Sequence, residues 1–133
     1  MSKKKQPKYK PFESAGGSDS FALITESMLM SEAWKDLNPK EQVIYTCMKA
    51  QLYKGRKPKN DYPTLNLGDD CIYFNWNKAI QYGLYEKGKS TFYKSVHNIE
   101  AHGFIETVSN GKSNKSKSIY RFSGKWKEWG KEQ

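Results

Sequence analysis

Lys87-Gly-Lys-Ser-Thr-Phe-Tyr-Lys-Ser-Val-His-Asn-Ile-Glu-Ala-His-Gly-Phe-Ile-Glu106 is the stretch whose reading decides the fold. Phe92, Val96 and Ile99 recur at four and three residues, the spacing of one buried helix face. Ser90 is the expected N-cap and Gly103 the expected stop. Beyond the glycine, Phe104-Ile-Glu-Thr-Val-Ser109 and Ile119-Tyr-Arg-Phe122 read as two strands. Between them, Asn110-Gly-Lys-Ser-Asn-Lys-Ser-Lys117 opens on a strong turn signal but runs longer than a tight hairpin requires.

The face of this helix opposite Phe92 carries the chemistry. At about 100° per residue it centres near Lys94, with Ser90, His97, Asn98 and Ala101 within about 60° and Thr91 at the margin. That face holds one cation and no carboxylate, as close approach to a polyanion requires, while Glu100 falls toward the apolar side. In a DNA major groove Asn98 can make a two-pronged contact to adenine, and Lys94 can reach guanine or phosphate. Ser90 and Thr91, near the helix N-terminus, suit phosphate oxygens, and Lys89 joins them as a DNA-binding candidate. Tyr93 is read as packing sideways on the preceding helix. His102 is expected at the surface, and His97 and His102 are five apart, the wrong spacing for a shared metal. Lys112, Asn114, Lys115 and Lys117 make the following loop cationic, fit to track a sugar-phosphate backbone. The expected fold is therefore α+β: a winged helix-turn-helix of three to four helices, a small antiparallel β-sheet and a basic β-hairpin wing.

Working outward, Asn38-Pro-Lys-Glu41 is a capping box with proline at the first helical position. The helix it starts shows an apolar stripe of Val43, Ile44, Cys47, Met48 and Leu52 and is expected to stop near Lys54-Gly55. Ser31 is expected to cap a turn through Leu37, and Asn75 a short helix from Trp76 to Tyr82 that follows a strand at Cys71-Ile-Tyr-Phe74. Residues 54–70 read as a structureless loop whose Lys54, Arg56, Lys57 and Lys59 form a solvated charge run, with backbone phosphate as their alternative contact. Residues 1–20, with Lys3, Lys4, Lys5, Lys8 and Lys10, read as a disordered basic arm. The winged-helix domain is placed at residues 21–124. Residues 125–133 form a tail whose Trp126 and Trp129 fold back on the body as a short helical turn.

A length of 133 residues fits one domain, and a net charge of +9 with pI near 9.4 points to a polyanionic partner. No apolar run approaches the ~20 residues that span a bilayer, so no membrane partner is expected. The start Met-Ser-Lys-Lys-Lys has no apolar stretch behind it, which predicts no signal peptide and a cytoplasmic location. Cys47 and Cys71 sit in apolar patterns and read as plain buried thiols. The chain shows no Gly-rich phosphate loop, paired catalytic carboxylates, Ser-His-Asp or Cys-His arrangement, or metal cluster. Neither enzymatic activity nor a cofactor is expected.

Taken in order, Phe21-x-x-Ile-Thr-x-Ser-x-Leu29, Ala33-Trp-x-x-Leu-Asn-Pro39, Phe74-Asn-Trp76, Ser90-Thr-Phe-Tyr93, Ile99-Glu-Ala-His-Gly-Phe-Ile-Glu106 and Tyr120-x-Phe-x-x-Lys-Trp126 form a recurring kind of pattern. It resembles small winged-helix DNA-binding proteins of bacterial mobile elements. It is also similar to the N-terminal domain of plasmid replication initiators. The resemblance spans about residues 21 to 130 and implies origin binding, local transcription control or a part in conjugative transfer. The expected function is a double-stranded DNA-binding protein of a plasmid, phage or conjugative element, a homodimer if its site is palindromic. The alternative is a protein-interaction module that docks on replication or transfer proteins through the hairpin and the two C-terminal tryptophans. RNA binding is the weaker third reading, because Tyr120 and Phe122 read as core rather than as a stacking platform.

Overall fold

The computed structural model describes residues 10–16, 19–54, 57–84, 88–109 and 118–131. The architecture is α+β. Three helices lead the chain: α1 (Glu26–Leu29), α2 (Glu32–Asp36) and α3 (Pro39–Lys49). After α4 (Pro58–Asp61) come β1 (Cys71–Tyr73), α5 (Trp76–Gln81), α6 (Lys89–Ala101), β2 (Ile105–Ser109) and β3 (Ile119–Phe122). A last 3-10 turn covers Lys125–Glu128.

Local chemistry sets most of these boundaries. Thr25, Ser31 and Asn75 each place a side-chain oxygen on the third backbone N–H of the helix that follows. Asn38 and Glu41 close the expected capping box, with Glu41 N–H to Asn38 Oδ1 at 2.8 Å and Asn38 N–H to Glu41 Oε1 at 3.0 Å. The buried face of α3 is turned from the expected stripe: Val43 is 46% exposed and Cys47 half-buried, whereas Tyr45 is buried. A single stripe misses this because α3 packs on two sides, against α6 and against the rings of Trp34, Phe104 and Phe122. The helix ends at Lys49, earlier than expected. Gln51 holds the turn beyond it by donating to Cys47 O at 3.0 Å and to the Tyr82 hydroxyl.

Within the expected loop of residues 54–70, residues 57–70 are not the structureless stretch that composition suggests. Pro58 and Pro63 open α4 and a 3-10 turn, their fixed φ angles starting a turn that the polar residues do not advertise. Asn66 closes the second turn in the left-handed conformation, φ 60°. Asp61 accepts the Tyr73 hydroxyl, Lys59 pairs with Asp69, and Lys57 donates to Asp69 O, so the segment is tied to β1 and to itself. In the expected N-terminal arm, residues 11–13 also form a 3-10 turn and the Ser20 hydroxyl donates to Ala50 O; just beyond it, Phe21 stacks on Tyr53 at 4.4 Å. Residues 1–9 lie outside the described residues.

The sheet is antiparallel with order β1-β3-β2, so β3 is central, pairing Tyr120 with Ile72 on one side and Thr107 on the other. Its register shifts between Thr107 and Ser109. Ile119 and Tyr120 are adjacent, point to opposite faces of the sheet and are both buried, so both faces are covered at this point of β3.

Gly103 joins α6 to the sheet. Its φ is +90°, and a Cβ there would lie 2.5 Å from Trp126 N and 2.7 Å from the Lys125 carbonyl carbon. Gly103 O accepts the Trp126 N–H at 3.0 Å, and Phe104 O accepts the Ser123 N–H at 3.0 Å. Replacing Gly103 with alanine combines left-handed strain with a backbone clash. It is expected to destabilise the fold by roughly 2–4 kcal/mol, measured by urea denaturation. A loss under about 0.5 kcal/mol, within the range of an ordinary surface change, would show that the tail need not sit where it does.

Burial, with Tyr93 nearby, pushes the Tyr120 hydroxyl up to about 12. Its unfolded counterpart titrates near 10. Between those values the folded state holds the extra proton, so stability is intact below about pH 10 and falls as pH rises toward 12. Tyr120→Phe should reduce that alkaline loss in denaturation curves taken at neutral and high pH, leaving the share of Tyr45, whose hydroxyl burial also pushes up. An unchanged alkaline slope would assign the loss to another group.

Candidate nucleic-acid interface

The charge distribution is uneven along the chain. From Cys71 to Ile99 there are four lysines (Lys78, Lys87, Lys89, Lys94) and one carboxylate, Glu86, which lies outside the described residues. This segment contains β1, α5 and α6 as far as Ile99; Glu100 follows in the last turn of α6.

Helix α6 is placed by what it buries. Phe92, Val96 and Ile99 are in the core as their spacing predicts, and Ser95 is buried beside them. Phe92 meets Phe74 of the β1–α5 junction at 6.1 Å between ring centres and Trp76 of α5 at 5.9 Å. Tyr93 packs edge-on against Phe92 at 4.7 Å and is half-buried. The helix starts one residue before the expected cap: Gly88 is the N-cap and Lys89 the first helical residue, so Ser90 lies inside the first turn. Gly88, without a side chain to accept a hydrogen bond, is a weaker sequence signal than serine.

Lys89, Ser90, Thr91, Lys94 and His97 are all exposed on α6, so the structure brings these five candidates together. Asn98 departs from the expectation. It is half-buried, and its Nδ2 donates to Glu41 Oε1 at 3.0 Å, across the α3–α6 contact. That oxygen also accepts the Asn38 N–H. Glu41 is only 5% exposed, and a buried carboxylate is costly unless donors surround it. Asn98 supplies one of those donors, so its amide is engaged with α3 instead of being presented for a two-pronged contact to adenine. Glu41 is the residue whose part in placing α6 the linear pattern does not reveal. Its place in the capping box is legible, but its partner 57 positions away is not.

The one carboxylate within α6 is also engaged. Glu100 accepts the Thr107 N–H at 3.0 Å and the Thr107 hydroxyl at 2.8 Å, latching α6 to β2. Glu41 and Glu100 are thus held by protein donors, and the outward face of α6 carries only neutral and cationic groups.

His102 is buried, not at the surface. Nδ1 lies 2.8 Å from Asn98 O, Nε2 lies 2.8 Å from Asp36 Oδ2, and the ring stacks on Trp129 at 4.4 Å. Trp126 stacks on Phe104 at 6.0 Å. Both tail tryptophans are half-buried against the body, because Gly103 brings the tail across the end of α6. Cys47 and Cys71 are free thiols, and burial pushes both upward, so they are neutral at ordinary pH. Among the described residues no group of three or more His, Cys, Asp or Glu side chains is arranged to hold a metal ion, and no helix is long and apolar enough to cross a membrane. The loop candidates Lys112, Asn114, Lys115 and Lys117 lie outside the described residues.

No family model, curated protein or solved structure matches the chain.

Asn98→Ala should cost about 1–3 kcal/mol of stability, since it strips a donor from the buried Glu41 carboxylate. Thermal or urea unfolding measures this. Asn98→Ala with unchanged stability would show that the Asn98–Glu41 hydrogen bond is not maintained in solution.

Proposed function

We propose that the chain is a winged-helix protein that binds double-stranded DNA, with α6 as its recognition helix and the lysine loop after β2 as its wing. The reading is supported by the order α3, β1, α5, α6, β2, loop, β3 around a three-stranded antiparallel sheet. The observation that carries it is the exposed face of Lys89, Ser90, Thr91, Lys94 and His97, beside which Glu41 is buried against Asn98 and the partly exposed Glu100 is turned onto Thr107. Because Asn98 is engaged with Glu41, base reading falls chiefly to Lys94, with Thr91 and His97 beside it. Few long side chains face outward, so the loop of Lys112, Lys115 and Lys117 carries a correspondingly larger share of affinity. Replication, transfer or transcription control of a mobile element is the role that fits the pattern of residues.

A second reading, docking on a protein partner, draws on an open groove of about 390 Å3 beside Met30, Trp126 and Trp129. The tryptophans are already packed on Phe104 and His102, which leaves less of them for a partner.

Lys94→Ala is expected to weaken binding to the cognate site by roughly 1–3 kcal/mol while sparing random DNA, if Lys94 reaches a base. An equal effect on both makes Lys94 a phosphate-binding residue. Neutralising Lys112, Lys115 and Lys117 together should reduce the salt slope of binding by about 0.9 for each phosphate that is no longer neutralised. Purified protein that shifts no DNA at low salt would refute the proposal and favour the protein-docking reading. A footprint on the element's own DNA would give site and stoichiometry together.

A further inference from the structure

A second cationic feature lies beside α6 and outside its recognition face. Where the chain leaves α3 and meets β1 and α5, there is a cleft of about 290 Å3. Two lysines, Lys54 and Lys78, and four carboxamides, Gln51, Asn75, Asn77 and Gln81, line it around the rings of Tyr73 and Phe74. Among the described residues no carboxylate lines it. The Tyr73 hydroxyl donates to Asp61, so this lining group, too, is occupied with an acid of its own chain.

On the α5 side the hydrogen-bonding capacity of the lining leans toward donors, whereas Gln51 has already committed its NH2 to Cys47 O and the Tyr82 hydroxyl. Asn75 commits its carbonyl oxygen to the Lys78 N–H at 2.9 Å, and Gln81 turns its carbonyl oxygen toward Lys78 Nζ at 3.5 Å. The donors that remain on these two residues are their NH2 groups. With Lys54, Lys78 and the Asn77 amide, they match a compact, multiply accepting anion. The volume falls just under the ~300–1,000 Å3 of sites that enclose whole small molecules, so the cleft suits one group of a longer ligand better than a complete cofactor.

We infer that this cleft binds a phosphate ester. Two sources share that chemistry: the backbone of a DNA strand lying across α5 and α6, and a free nucleotide. Cleft and recognition face sit on helices joined through Trp76 and Phe92, which favours the DNA strand. The choice of DNA rests on the function proposed above; the anion chemistry of the cleft does not. Lys54 acquires a role here that Lys57 and Lys59, tied to Asp69, do not share.

Inorganic phosphate and a duplex DNA are titrated separately against the whole chain, reading the side-chain NH2 NMR signals of Asn75, Asn77 and Gln81. The comparison proteins are Asn77→Asp and the double variant Lys54→Gln/Lys78→Gln. Asn77 is exposed, and an acid in the first turn of a helix is favourable, so Asn77→Asp keeps the fold while repelling phosphate. Saturable shifts with phosphate that vanish in Asn77→Asp support the cleft. If duplex DNA moves the same signals, and the double variant lowers the salt slope by about 0.9 per lysine, the DNA strand is the source. If phosphate binds but duplex DNA does not, a free phosphate ester is the source, and the DNA reading of α6 fails while the cleft stands. DNA that perturbs Lys94 while neither ligand moves the cleft signals overturns this inference and leaves the recognition helix intact. Phosphate shifts of equal size in Asn77→Asp also overturn it.

Discussion

The reversal at Gly103 is the constraint on which the rest depends. At φ +90°, within 3 Å of the Trp126 backbone, only glycine lets α6 stop and the chain turn directly into β2. The next residue, Phe104, is then delivered into the core, where it meets Trp34 of α2, Tyr45 of α3 and Trp126 of the tail. One ring therefore ties the first helices, the sheet and the C-terminal turn together. Because Phe104 is three residues from the end of α6, the same packing fixes the axis and rotation of that helix. What α6 presents outward follows from what Phe92, Val96 and Ile99 must bury.

A second constraint is electrostatic. The chain is strongly basic, but net charge alone does not make a binding face. The carboxylates nearest α6 are the ones that matter, and each meets a partner: Glu41 the Asn38 N–H and the Asn98 amide, Glu100 Thr107, and Asp36 the His102 ring. The bonds of Glu41 and Glu100 do two jobs at once. They hold α6 to α3 and to β2, and they turn both carboxylates of these bonds toward protein donors. Farther along the sheet, Glu106 is similarly paired with Lys125 at 3.2 Å and with Arg121 at 3.7 Å. Such exposed pairs add little stability, but they too reduce the negative charge beside a cationic surface.

Several elements are legible along the chain because their signals are local. The Asn38-Pro39-Glu41 box, the caps at Ser31 and Asn75, the Phe92–Val96–Ile99 spacing and the Gly103 stop each involve residues within a few positions of one another. Where the fold departs from these local expectations, a distant partner decides the outcome. Tyr45 is buried and Val43 exposed because α3 has neighbours on two sides. His102 is buried because Asp36 and Trp129 arrive from 66 positions before and 27 after it (102 − 36 and 129 − 102). Residues 58–65 are ordered into turns by two prolines and by Tyr73, in a stretch whose composition alone reads as loop.

The sequence by itself determined the α+β class, the identity of the longest helix and the basic character of its outward side. Those follow from periodicity, capping and charge, which act over one or two turns. Only the tertiary structure decided which of the candidate side chains are available. It left Lys89, Ser90, Thr91, Lys94 and His97 at the surface and drew Asn98 inward. The reason is that a buried carboxylate must find its donors wherever the fold supplies them, and for Glu41 the fold supplied the amide of Asn98.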